Sequence, residues 1–494
     1  MTNENNKIVQ QGKCTRTVHN KHYIDMVVII FLMFGFGYLP TFLTVTRMGM
    51  HMLGIFLGCI YAWTSQKMDW PSLLALIAMS FTGYGTLSEI ISSAFGHEVL
   101  WIVMFSMLLC YSIDNTGILP IISRKILSIK FARKGPWALA FVFMIAAAIT
   151  GFLTINALTV ILLLWKIFYD VADQLDLKPH DPYPTIVLIM IVIAGTTGSV
   201  IAPYTGFVLM SFGILDSVIP GVIVNPLAYS VTVLIINVAI FVALILFFKY
   251  ILRIKVSFRP IQINDEDLKI NSRQKIMLGL IALLIITMMI PNLLPEGNIF
   301  RVFFVDKLGS LGIMIGINIV LALITKDKEN FTNIAQSFKE GISWGLFLMI
   351  ATALTISTAL ASESTGVIEA IVHILNPILE GHSLFWLMTI IVAISVIATN
   401  LINDMATLSI ITPIAIVFVV NAGGDPAVIV TLLAFTCMLG FFLPAASAMG
   451  AITHGNEWLT PKLIYKYESI MIVIIIIVTS LIGVPVANLI FGLL

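Results

Sequence analysis

Long apolar runs alternate with short polar breaks along almost the whole chain. Windows of the roughly 20 apolar residues that cross a bilayer as a helix lie near 26–45, 48–64, 70–90, 98–120, 184–212, 217–249, 276–294, 308–325, 342–361, 428–452 and 468–494. They predict about eleven transmembrane helices, which puts the two termini on opposite sides. Two further apolar stretches, 137–167 and 385–420, are interrupted near their middles by polar residues. Each is too long for one span and too short for two. Each therefore predicts a re-entrant helical hairpin that enters the membrane and returns to the same side.

Charge fixes an orientation for this pattern. Arg124, Lys125, Lys130, Arg133 and Lys134 crowd one connector. Lys249, Arg253, Lys255, Arg259, Lys269, Arg273 and Lys275 fill the longest, and Lys326, Lys328 and Lys339 fall in a third. Lys and Arg collect on the cytoplasmic side. With residues 1–25 as a cytoplasmic tail, all three connectors come out cytoplasmic and the C-terminus outside, as in a plasma (inner) membrane protein. The basic loop 250–275 then separates an N-terminal half, 26–249, from a C-terminal half, 276–494.

Composition agrees. Of 494 residues 59% are hydrophobic and 11% charged, with a net charge of +1. A soluble protein carries roughly 25% charged residues. This excludes a water-soluble enzyme, a nucleic-acid binder and a disordered chain. Cys14, Cys59, Cys110 and Cys437 have neither disulfide nor metal spacing. No nucleotide-binding loop and no nucleophile–base grouping is evident, so neither ATP-driven transport nor catalysis is expected, and no cofactor.

The two halves repeat one another. Asn115-Thr116-Gly117-Ile118 and Ser364-Thr365-Gly366-Val367 each open a short amphipathic stretch. About forty residues later each half reaches the polar break of its hairpin, Thr154-Ile155-Asn156-Ala157-Leu158-Thr159 and Ile402-Asn403-Asp404-Met405-Ala406-Thr407. Each half then has an apolar segment broken by Gly, Pro and small hydroxyl residues. These are 184–212, with Gly195-Thr196-Thr197-Gly198-Ser199 and Pro203-Tyr204, and 428–452, with Pro444-Ala445-Ala446-Ser447. By the span count the hairpins open from opposite sides, so the repeats are inverted. Paired broken helices in inverted repeats point to the midplane site of a secondary transporter. Unwound backbone offers N–H groups to an anion and C=O groups to a cation.

At these four breaks the chain resembles the divalent anion/sodium symporter family of the ion-transporter superfamily. The strongest stretch is 393–460, with Thr399-Asn400 before the tip, Thr412-Pro413-Ile414 after it, and Phe442-Leu443-Pro444 through Ala451-Ile452, His454-Gly455. The resemblance implies eleven spans, two hairpins, a homodimer and elevator-type movement of a transport domain. It implies cation-coupled, sodium-driven symport of a small anion, a di- or tricarboxylate. A sodium/proton antiporter or an inorganic oxyanion carrier of the same superfamily, and more remotely an uncoupled anion channel, are the alternatives. One sodium site would be formed by Ile155, Asn156, Gly195 and Thr196, and the second by Thr399, Asn403, Asp404 and Ala445. The substrate would sit between the tips, against Asn156, Ala157, Thr159, Pro203, Asp404, Met405, Thr407 and Ser447. The family's tip Ser-Asn-Thr is here Ile155-Asn156-Ala157 and Asn403-Asp404-Met405, and its double prolines are Pro203-Tyr204 and Ala448-Met449.

Asp404 replaces the family's neutral asparagine. A carboxylate at membrane depth is costly unless paired. Three roles fit it: a hard ligand for the coupling cation, the carrier of a coupling proton, or a hydrogen-bond partner for nearby helix ends. His454 and Glu457 are expected either to gate the cytoplasmic mouth or to cap an interface. Glu89 and Asp114 are expected at span boundaries, and Tyr204 and Met449 as walls of the site or ordinary packing.

Overall fold

The computed structural model describes residues 23–493, apart from 66–67, 155–156, 255, 257, 259–268, 296, 327–328, 368, 371–372, 375–382 and 445. The tail therefore lies almost wholly outside the described residues. So do residues 255, 257 and 259–268 of the loop 250–275, and Ile155, Asn156 and Ala445 of the expected site. Among the described residues the chain is all-helical save for one small antiparallel ladder, Thr325–Lys326 with Glu329–Asn330. Eight described helices are long and apolar enough to cross a membrane, or nine if Leu87–Gly96 and Glu98–Asp114 count as one broken span.

Two compact units form, and each takes chain from both sides of the basic loop. The smaller comprises Met1–His97 and Trp344–Ile378. Its helices Arg47–Ser65, Asp69–Ser80 and Leu87–Gly96 pack on Trp344–Ala361. Thr352 donates to the Ser72 carbonyl at 3.1 Å, and the Trp63 indole to the Ser72 hydroxyl at 3.1 Å. The window 70–90, expected as one span, is split. Gly83 takes φ +83° in the turn after Ser80, and Thr86 caps the next helix in a reciprocal capping box with Glu89. Glu89 is thus a boundary residue, as expected.

The larger unit, Glu98–Ser343 and Leu379–Leu494, holds both hairpins and both broken helices. The first hairpin is α1 (Pro136–Phe152) and α2 (Ala157–Gln174), and the first broken helix is α3 (Pro182–Ser199) and α4 (Gly206–Val218). Helix α5 (Pro226–Leu246) follows. The second hairpin is α6 (Leu384–Leu401) and α7 (Asp404–Asn421), and the second broken helix is α8 (Pro426–Thr436) and α9 (Ala448–His454). Helix α10 (Pro461–Val478) continues through a π-turn to the last helix, Val484–Leu493. The two hairpins turn at polar residues, and each broken helix is interrupted at a segment that contains a proline, Pro203 or Pro444.

Helix α3 is buried from Tyr183 to Ser199 and forms the post of this unit. Its glycines let α1 approach to backbone contact. A Cβ on Gly198 would overlap the Ala148 backbone, and one on Gly151 would lie 2.6 Å from the Gly195 carbonyl oxygen. Helix α4 packs on both α7 and α8, so the first broken helix meets the second hairpin. The repeated Asn/Ser-Thr-Gly turns also match in detail: Gly117 has φ +63° and Gly366 φ +62°, the left-handed region that glycine enters freely.

Candidate functional site

The second hairpin and second broken helix are laced together by side chains on both sides of the tip. Thr399, near the end of α6, places its hydroxyl 2.7 Å from Asp404 Oδ1 and 2.6 Å from the Cys437 carbonyl oxygen. The Gly440 N–H also donates to the Asp404 carboxylate. Asn400 accepts from the N–H groups of Phe441 and Phe442 at 3.1 and 2.9 Å. Asn403 spans the gap, its amide donating to the Ala446 carbonyl at 3.2 Å while its oxygen caps α7 at Met405 and Ala406. Ser447 caps α9 at Met449 and Gly450 and donates to the Gly440 carbonyl.

This cluster is rich in acceptors. A hydroxyl carries one proton, so Thr399 can satisfy only one of the two oxygens facing it at a time. Asp404 Oδ1, Thr399 Oγ1 and the Cys437 carbonyl then form a group of hard oxygen ligands short of positive charge. A small cation suits such a set. Among the described residues no group of three or more His, Cys, Asp or Glu side chains could hold a metal ion. A coupling ion here would be held by one carboxylate plus hydroxyl and backbone oxygens.

Gly440 makes the close approach possible. A Cβ there would overlap Asp404 Oδ1 and lie 2.9 Å from the Thr399 carbonyl oxygen. The Met405 and Ala406 N–H groups at the start of α7 are already bonded to Asn403.

The first hairpin and broken helix are held differently. Gly195 and Thr196 lie fully buried in α3, and a Cβ on Gly195 would meet the Ile161 side chain of α2 at 3.2 Å. Thr196 Oγ1 is buried with no hydrogen-bond partner. Thr154, at the tip, donates to Asp114 at 3.2 Å. Asp114 therefore joins the hairpin rather than merely ending a span.

The carbonyls freed by the break after α3 are taken up by α5. Tyr229 donates to Val200 at 2.6 Å, Ser230 to Ile201 at 2.9 Å and Asn237 to Thr197 at 3.4 Å. Sequence reasoning did not single out these three donors.

The remaining expected residues are dispersed. Ala157, Pro203 and Tyr204 are buried, whereas Thr159 is exposed. Met405 and Met449 are half-buried, and Thr407 is buried with its hydroxyl unpartnered. His454 does not turn to Glu457 for a partner: its ring nitrogen lies 3.0 Å from the Phe442 carbonyl, and the ring packs 5.1 Å from that of Tyr465, closing the second break.

Two solved structures share the fold. The YdaH transporter of Alcanivorax borkumensis aligns with a TM-score of 0.55 at 13% identity, over 82% of this chain and 88% of that one. MtrF of Neisseria gonorrhoeae, described within a class of antimetabolite efflux pumps, aligns with a TM-score of 0.53 at 14% identity, over 80% and 83%. No curated protein matches the chain. The family of citrate transporters matches residues 59–440, from the first long helix to the glycine beneath Asp404. Over that span, which takes in both hairpins and the first broken helix, the chain belongs to the citrate transporter family.

Proposed function

We propose that this membrane transporter carries a small anionic carboxylate of the citrate class, coupled to a cation bound at the Asp404 cluster. The observation that carries this reading is the juxtaposition of Asp404, Thr399 and the Cys437 carbonyl at the meeting of hairpin and broken helix. A bare carboxylate there would repel an anionic substrate. A cation bound first removes the repulsion and gives the substrate a counter-charge, so loading is ordered. Membership of the citrate transporter family supports the substrate class. Sodium as the ion, elevator-type alternating access and a homodimeric assembly complete the reading, on the resemblance to the divalent anion/sodium symporters.

Counterflow in proteoliposomes tests it, with citrate, succinate, malate, sulfate and aspartate offered with and without a sodium gradient. Citrate or a related carboxylate should exchange, and the gradient should drive net uptake. Sodium-dependent proton movement without uptake of any anion would overturn this reading in favour of an antiporter. Sulfate as the sole substrate would favour an oxyanion carrier.

A further inference from the structure

Helix α10 carries a carboxylate that the Asp404 cluster does not use. Glu468 is fully buried, and neither of its oxygens has a hydrogen-bond partner. It lies on the inward face of α10 with Ile464, Met471 and Ile475, while Lys462, Tyr465 and Lys466 are exposed.

Among the described residues, the elements packed against α10 bring no partner to the Glu468 carboxylate. These are α3, α5, α6, α9, the π-turn Thr479–Gly483 and the π-turn Phe247–Ile251. Their titratable groups are Tyr183, Tyr229, His454, Lys249 and Tyr250, and α6 and the turn Thr479–Gly483 have none; Lys249 and Tyr250 are exposed, with Lys249 over the Tyr250 ring at 4.7 Å. Tyr183 donates to the Pro136 carbonyl at 2.6 Å and Tyr229 to Val200 at 2.6 Å, while His454 is engaged with Phe442. On α10 itself, Tyr467 packs against Phe248 at 6.0 Å, and Lys466 lies over the Tyr467 ring at 5.1 Å. An ionised carboxylate without a partner is not retained in such an interior; it takes up a proton. A leucine or methionine would fill the space without that cost.

Buried polar atoms without partners recur on the elements that surround α10. Thr196 Oγ1 on α3, Thr232 Oγ1 and Asn237 Oδ1 on α5, and the Thr479 and Ser480 hydroxyls are all buried without partners. Helices α3 and α5 meet where Asn237 donates to Thr197, and α5 meets the π-turn where Gly483 packs on Ile236.

We propose that Glu468 is a proton-binding site, distinct from the Asp404 cluster, whose proton is exchanged during the transport cycle. The link to transport rests on the carrier reading above; proton binding does not. One proton passes from water to a Glu468 carboxylate oxygen and back, with no other bond changed.

Infrared difference spectra of the full-length protein in lipid, without substrate, test the binding. The wild type should show a protonated-carboxyl C=O band that Glu468→Gln lacks. Equal bands in both overturn the site. If Glu468→Gln does not fold, Glu468→Asp keeps the acid and should shift the band; an unshifted band overturns the proposal equally.

In proteoliposomes, Glu468→Gln should lower pH-gradient-driven net uptake about tenfold relative to its own exchange rate, within the range typical of coupling between sites. An unchanged ratio overturns the coupling. A wild type that carries no carboxylate defeats the carrier reading, and the infrared band still decides the proton site.

Discussion

The Thr399 hydroxyl lies 2.7 Å from Asp404 Oδ1, bridging the end of one hairpin arm to the start of the next. That contact brings the only carboxylate of the tip against the unwound segment of the second broken helix. It replaces the neutral residue expected at this position with a charge that needs a partner, and the neighbouring oxygens offer room for a cationic one.

Asp404→Asn keeps the shape and removes the charge. Losing a charge-assisted contact costs about 1.5–3 kcal/mol, or roughly 10- to 140-fold in affinity. The apparent affinity for the coupling cation should fall by that factor in proteoliposome uptake, while the purified protein melts close to the wild type. Unchanged sodium and pH dependence would exclude Asp404 as the ion ligand.

Gly440→Ala tests the same cluster through sterics alone. The added methyl would collide with Asp404 Oδ1 and press on the Thr399 carbonyl, so transport should be lost even if the protein reaches the membrane. Gly279→Ala and Gly316→Ala are the controls, since nothing lies within 4 Å of a Cβ at either helical site. Both should retain uptake, with stability equal to the wild type or raised by about 0.4–1 kcal/mol.

The breaks were legible because a polar or glycine-rich interruption in an apolar run has few other uses at membrane depth; yet 385–420, expected to be too short for two spans, holds two helices, Leu384–Leu401 and Asp404–Asn421, each long and apolar enough to cross a membrane. Expected bounds of 137–167 and 385–420 compare with helices beginning at Pro136 and Leu384 and ending at Gln174 and Asn421. The donors on α5 were not legible. Tyr229, Ser230 and Asn237 act on carbonyls 29 to 40 residues away, and a polar residue in an apolar helix reads alike whether it serves a neighbour's break or its own. Glu468 was missed because hydropathy averaging began the last span at that residue and made it a boundary. The helix in fact starts at Pro461. The turn between Ser80 and Thr86 was averaged away in the same manner.

Tyr229→Phe should expose the value of the α5 contacts. It strips the donor from a buried Val200 carbonyl at the first break, a loss of about 1–3 kcal/mol. Tyr183→Phe removes an equally short bond to Pro136, at the start of the first hairpin arm and far along α3 from the break. Both variants should melt earlier in a thermal assay of the purified protein. Only Tyr229→Phe should also slow uptake per folded molecule, because only it loosens the broken segment.

Acid sensitivity of the larger unit should trace in part to Glu340. The Tyr111 hydroxyl donates to Glu340 Oε2 at 2.6 Å, and with the nearby Gln336 amide it holds that carboxyl below its ordinary range. A carboxylate whose folded pKa is depressed adds stability above its unfolded pKa, and that stability is lost as pH falls through the folded value. Glu340 is exposed, so the effect is small and screened by salt. Tyr111→Phe should leave the melting temperature near neutral pH only slightly lower and flatten its fall on the acid side. Identical acid limbs for wild type and variant at low salt would show that the pair contributes nothing.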